Sequence, residues 1–274
     1  MANSFKKMIG EKLIKRTDNG MFMRLSDIHV KEGFNKRVDD ERTQQADDQL
    51  FSYLASGGKV PPLEVTARED GGVWVVEGHR RRRAYQRCAD AGKPVEWIAV
   101  TQFSGSDVER IARIMTSNNQ LSLTSFEQAM VIKELSAFNL TPDEIAKLVH
   151  LSRTTVDKLL IISTSNHDVQ TFVKDGAVAV DVAVDRVKEH GESAGTVLAG
   201  DVKKAKDAGK NKVTRSVIEK KFSNKKSAAF LEILATAEIL KMEDKDVIVI
   251  PAGKKIDLLN ILEEYRQSTS AGGD

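Results

Sequence analysis

Two stretches of this chain group side chains closely enough to do chemistry, and both set arginine against the start of a helix. The first is Gly78-His79-Arg80-Arg81-Arg82-Arg83. Val73 to Val76 is a β-branched and aromatic run that follows Gly71 and Gly72, so it reads as a buried strand leaving a turn, and Gly78 ends it. From His79 the residues favour a helix. Four arginines therefore fall in the first turn, where unpaired N–H groups and the macrodipole already present positive charge. At about 100° per residue, Ala84, Tyr85, Cys88 and Ala89 share an apolar face; Arg81 projects along it, and Arg80, Arg83 and Arg87 line another. An arginine near a core-facing direction needs a partner. A polyanion would satisfy the helix end and the guanidinium forks together. The competing reading is a solvated, arginine-rich surface helix, and the strand-glycine-helix context favours phosphate over it.

The second stretch is Thr141 to Leu160. Thr141-Pro142 starts a helix with a capping hydroxyl and a proline at the first helical position. Ile145, Ala146, Leu148 and Val149 form its inner face, His150-Leu151 turns, and Ser152 caps a second helix carrying Val156, Leu159 and Leu160. The small Ala146 stands where the helices approach. This is helix-turn-helix spacing, with a plain helical hairpin as the alternative. His150 occupies the turn position where glycine is usual. Ser152, Arg153, Thr154, Thr155 and Lys158 lie at or near the start of the second helix, where hydroxyls and cations suit base edges and phosphates of double-stranded DNA. Asp157 either reads a cytosine amine or pairs with Arg153 at i+4.

The segment Gly78-His79-Arg80-Arg81-Arg82-Arg83-Ala84 resembles the Gly-Glu-Arg-Arg-x-Arg-Ala box of the ParB partition proteins, with His79 in place of the glutamate. The resemblance runs from about Leu25 to Glu189, and it implies that the box binds the triphosphate of CTP. It implies the same contact for Arg37, in Gly33-Phe-Asn-Lys-Arg37, which is similar to the family's Asn-Pro-x-x-Arg turn without its proline. Ser117-Asn118-Asn119-Gln120-Leu121 stands where the family has Glu-Asn-x-Gln-Arg. Asn118 and Gln120 match, and Asn118 would reach the triphosphate; a polar turn between helices is the alternative. Ser117 and Leu121 replace a Mg²⁺-holding glutamate and a phosphate-binding arginine, so binding is expected to survive better than hydrolysis, and any CTPase activity to be weak. Sulfiredoxin shares the fold but has a catalytic cysteine where Gly78 stands, so that activity is not expected. The family also implies a partition ATPase as partner.

Composition sets the limits. The 274 residues suggest two or three small domains, and 41% hydrophobic with 30% charged residues fits chains that bury real cores. Lys+Arg of 42 against Asp+Glu of 40 leaves a net charge of +2, so a nucleic-acid site must be a local patch. One cysteine excludes an internal disulfide framework and a cysteine zinc cluster, and fits a reducing cytoplasm; the family resemblance implies association with nucleoid or plasmid DNA there. No apolar run reaches membrane length. Beside the arginine box no compact His, Asp and Glu cluster appears, which lowers a nuclease reading; no residue is assigned a catalytic or metal role. A transcriptional regulator on the same scaffold remains a rival to a partition protein.

The expected fold class is α+β, in five parts. Residues 1–20 read as a flexible basic arm and 21–120 as a small mixed-sheet domain of ParB/sulfiredoxin type. Residues 121–190 read as an all-α helix-turn-helix domain and 191–227 as a basic connector that either tracks phosphates or is a solvated face. Residues 228–274 read as a small α/β unit: an apolar helix over 228–240, a strand at 247–250 and a helix over 256–265. That unit is small for an independent core, so a homodimer is expected.

Overall fold

The computed structural model describes residues 3–117, 121–218, 224–242 and 245–269. Contacts divide the chain into Met1–Ala199 and Gly200–Asp274.

The first unit opens with α1 (Phe5–Gly10), β1 (Ile14–Thr17), β2 (Gly20–Met23) and, after a 3-10 turn, β3 (Ile28–His29). It continues through α2 (Glu41–Ala55), β4 (Leu63–Ala67), β5 (Val73–Glu77), α3 (His79–Asp90), β6 (Ile98–Gln102) and α4 (Asp107–Thr116). The six strands form one mixed sheet, ordered β1-β2-β6-β4-β5-β3, in which β3 runs parallel to β5 and β4 parallel to β6. Leu63, Val65, Val73, Val75, Ile98 and Val100 alternate into its core with Met23 and Ile28, where Ala84, Tyr85 and Cys88 of α3 meet them. Cys88 is a packed thiol.

The expected flexible arm is incorrect. Phe5, Met8 and Ile14 are buried, β1 pairs with β2, and the Asn3 side chain donates to the carbonyls of Arg68 and Gly72 at 2.6 and 3.0 Å. The lysines between those apolar residues point outward and mask a short amphipathic pattern. Helix α2 packs Leu50 and Leu54 on the core and turns two polar residues inward beside them. Thr43, Asp47 and Leu54 face inward while Tyr53 is exposed, so a carboxylate takes an interior position.

All-α structure follows: α5 (Ser125–Ser136), α6 (Pro142–Val149), α7 (Arg153–Thr164), α8 (His167–Lys174), α9 (Val180–His190) and α10 (Ala194–Asp207). Capping boxes at Ser106, Thr124 and Thr141 start α4, α5 and α6, each Ser or Thr bonding the N–H of a glutamate three residues on, which bonds back. The glutamate of the middle box, Glu127, has a second task. It is fully buried, and it accepts N–H bonds from Thr124 and from Val38, both at 2.7 Å, with Arg42 3.5 Å away. Arg42 also reaches the carbonyl of Ser122 at 2.9 Å. One carboxylate thus joins the segment before α2 to the helical layer.

Beyond Ala199, the described residues include α11 (Arg215–Ile218), α12 (Asn224–Ala235), β7 (Glu238–Met242), β8 (Lys245–Val249) and α13 (Lys255–Thr269). The expected helix over 228–240 ends at Ala235, and Ile239 and Leu240 belong to an antiparallel hairpin. An apolar run that short cannot be assigned to helix or strand by its pattern alone. Among the described residues no helix is long and apolar enough to cross a membrane.

Two stability measurements test these placements. Glu127→Gln removes a buried charge that serves three donors, and denaturant unfolding is expected to register a loss of about 3 kcal/mol. His150 ends α6 in the left-handed region (φ 56°), where a side chain is strained, so His150→Gly is expected to leave stability unchanged or raise it by up to about 1 kcal/mol.

Candidate functional site

The turn between β5 and α3 is built around Gly78, whose φ of 99° disfavours any side chain. A Cβ there would also lie 2.5 Å from Leu63 Cδ2 and 3.1 Å from the Arg81 guanidinium carbon. The backbone requires glycine here, and any Cβ would also have to displace the ends of two side chains. No side chain caps α3, in contrast to α2 and to α4 through α8. The N–H groups of His79, Arg80 and Arg81 have no carbonyl acceptor within the helix, as for any first turn.

The arginines that follow have partners inside the protein. Asp47 of α2 accepts from Arg80 Nε on one oxygen and from Arg83 Nη1 on the other, each at 2.6 Å. Asp48 takes Arg87 at 2.8 Å, and that guanidinium also lies 4.6 Å from the centre of the Phe51 ring. Arg81 donates to Glu77 and to the carbonyls of Pro61 and Pro62, so it ties the start of α3 to both neighbouring strands. Its direction along the core-facing side is as the helical spacing implies. The partner it requires is a protein carboxylate, and an external polyanion is not needed to explain it.

His79 and Arg37 meet beside this turn. Phe34, from the Gly33–Arg37 segment, stacks on His79 with ring centres 5.7 Å apart and planes 29° apart, and Arg110 lies over the Phe34 ring at 5.5 Å. Arg37 donates to the carbonyl of Leu121. Burial, then Arg83 and Arg37, lowers the His79 pKa from 6.5 to about 4. Histidine is thus neutral where the resemblance has a glutamate, and its buried Nε2 finds no hydrogen-bond partner among the described residues. Of the residues expected at this site, the structure brings Gly78, His79, Arg80, Arg81, Arg83 and Arg37 into one region. Asn118 and Gln120 lie outside the described residues. Ser117 ends α4 with only a hydroxyl to offer.

In the helical layer, α6 and α7 are joined by a three-residue turn. The N–H groups of His150 and Leu151 both return to the carbonyl of Ala146, the latter at 3.0 Å. Ser152 and Thr155 use their hydroxyls locally, Ser152 Oγ accepting the Thr155 N–H at 3.1 Å and lying 2.8 Å from Thr155 Oγ1. Arg153 and Thr154 are exposed. Of the two readings of Asp157, pairing is observed: Arg153 bonds Asp157 at 3.1 Å and also Asp143 of α6, while Lys158 bonds Asp181 of α9 at 2.6 Å. Such exposed, solvent-screened pairs contribute little to stability and exchange readily for other anions.

Asp47 was the site residue least visible in the sequence. Its signal was spacing, because Thr43, Asp47, Leu50 and Leu54 follow one helical face and an acid on an inward face must meet a cation.

Two measurements follow. Arg81→Ala is expected to cost about 2 kcal/mol of stability by unpairing Glu77 and two carbonyls, read from denaturant unfolding. The His79 pKa is lower folded than unfolded, so its contribution is complete above about pH 6.5 and is lost as pH falls toward 4. Unfolding free energies of the parent and His79→Gln should differ in slope within that window, by up to about 3 kcal/mol in total.

Comparison with known proteins gives one curated relative, a probable chromosome-partitioning protein ParB of Vibrio cholerae, 30% identical over 132 residues. The match covers 47% of this chain and spans 43% of the relative's length. No family model matches. Among solved structures, the C-terminally truncated ParB of Caulobacter crescentus complexed to the centromeric parS site is similar with a TM-score of 0.47 and 19% identity, over 71% of this chain and 94% of that one. The same protein complexed with CTP-gamma-S gives a TM-score of 0.30 and 20% identity, over 65% and 96%. With its arginine box in the strand-glycine-helix setting, the chain is thus similar to a ParB partition protein over about half of its own length.

Proposed function

We propose that this chain is a DNA-binding protein of a partition system, holding a specific duplex site with α7 and taking the triphosphate of CTP at the Gly78–Arg83 turn. One observation carries the DNA reading: α7 presents Arg153 and Thr154 to solvent from a start fixed by the Ser152 cap and the left-handed His150 turn. A helix start held that firmly can set side chains against base edges, while Lys158, one turn on, meets phosphate. The carboxylates now paired with Arg153 and Lys158 are exchanged for DNA oxygens at little cost.

For the nucleotide, support comes from the partial sequence match to a ParB protein and from the chemistry of the donors. Gly78 allows close backbone approach, the uncapped first turn offers N–H groups, and Arg80 and Arg83 lie along it. CTP, when bound, supplies the negative charge; the chain's residues hold and orient it. Neutral His79 adds no charge of its own, and Asn118 contributes a hydrogen bond. Ser117 brings no carboxylate for Mg²⁺.

The C-terminal unit supports a homodimer. Ile239 and Ile248 face each other across the hairpin and are 74% and 55% exposed, with Ile256 and Leu259 of α13 also open. A second copy would cover these groups. Action on nucleoid or plasmid DNA in the cytoplasm, with a partition ATPase as partner, completes the reading.

Three experiments test it. Duplex selected from a random library by the full-length protein should bind Arg153→Ala about tenfold or more weakly with relaxed preference, and Lys158→Ala more weakly on every sequence with a shallower salt slope. Unchanged binding by both variants removes α7 from the interface. Calorimetry with CTP, ATP, GTP and UTP, with and without that duplex, should find CTP bound; no binding of any of them ends the nucleotide reading. Ile239→Lys with Ile248→Lys should convert a sedimenting dimer to a monomer, whereas a monomeric parent contradicts the dimer.

A further inference from the structure

The carboxylate of Asp47 is placed as a bound oxyanion would be. Its side chain is 8% exposed, and each of its two oxygens takes a guanidinium, Arg80 on one and Arg83 on the other, at 2.6 Å. Both arginines belong to the first turns of α3, beside the uncapped N–H groups that follow Gly78. The carboxylate itself comes from the middle of α2, whose inward-facing neighbours on the same stripe are Thr43 and Leu54. An acid at that point is costly to bury alone and is retained there by the two arginines.

We propose that Asp47 is an internal competitor of phosphate: it occupies Arg80 and Arg83 while the turn is empty and sets how weakly a nucleoside triphosphate binds. The inference rests on the nucleotide reading given above and adds to it the residue that tunes affinity. Its physical basis is an exchange. A phosphate oxygen that takes Arg80 or Arg83 from Asp47 gains one charge-assisted bond and breaks another of the same kind, so these two arginines contribute little net affinity. The displaced carboxylate then stays close to a polyanion, and like charges a few Å apart in a partly buried site repel. Asp48, one residue along, serves as the comparison, because it carries the same charge but pairs with Arg87 and leaves Arg80 and Arg83 alone.

The test is calorimetric titration of CTP and of inorganic triphosphate into the full-length parent, Asp47→Asn, Asp47→Ser and Asp48→Asn, with the thermal midpoint of each recorded to establish folding. Asp47→Ser stands in if the asparagine variant does not fold. The expected result is that the folded Asp47 variants bind both ligands about tenfold or more tightly than the parent, by similar factors for the two, while Asp48→Asn changes affinity by less than about threefold. Equal or weaker binding by the Asp47 variants, with a parent that binds CTP, overturns the competitor role alone; weaker binding would make Asp47 a residue that positions the arginines. Equal tightening by Asp48→Asn also overturns it, since net charge would then suffice. If neither the parent nor any variant binds either ligand, the nucleotide reading and this inference fall together.

Discussion

A helix that begins with four arginines has to find negative charge at its N-terminal end, and in this protein α2 supplies much of it. Asp47 spans Arg80 and Arg83, Asp48 meets Arg87, and Glu77 at the end of β5 holds Arg81. These pairs fix α3 against α2 and against the start of β4. Without them the repulsion among the arginines and with the helix dipole would act on the turn at Gly78, which has no side-chain cap to resist it. The cost is that the same guanidiniums are not idle. Any anion that comes to the turn meets arginines that already hold a carboxylate.

The turn is also connected to the helical layer by groups that cannot be removed cheaply. Phe34 stacks on His79, and three residues later Arg37 reaches the carbonyl of Leu121. Val38 then donates to the buried Glu127, which caps α5. Backbone that passes over the arginine box is therefore bonded directly to the helix that packs against α7. These contacts are short and largely buried, so a displacement of the Gly33–Arg37 segment has to be accommodated by α5.

Much of this was legible in the sequence. The strand-glycine-helix switch and the turn at His150-Leu151 between α6 and α7 follow from period and caps, whereas spacing leaves Asp157 two roles and the structure decides for its pairing with Arg153. What escaped was the interior use of polar residues. The first twenty residues hide Phe5, Met8 and Ile14 among lysines, and Asp47 gives no hydrophobic signal because its place on α2 buries a charge. The Leu240 region failed for a different reason: a short apolar run fits helix and strand equally, and only the cross-strand register of Ile239 with Ile248 decides it. Arg81 is the clearest instance: helical spacing gives its inward direction but not its partner, Glu77, which lies within the molecule.

Whether the Gly78–Arg83 turn receives the phosphates of CTP can be read at the amides of His79, Arg80 and Arg81. With no acceptor inside the helix, these N–H groups are the ones a bound oxyanion would take up. Hydrogen exchange of the full-length protein should slow at these three positions when CTP is added to saturation, with little change in the C-terminal half of α3. Unchanged exchange there, under conditions where binding of CTP is measured independently, would place the nucleotide elsewhere and contradict the account.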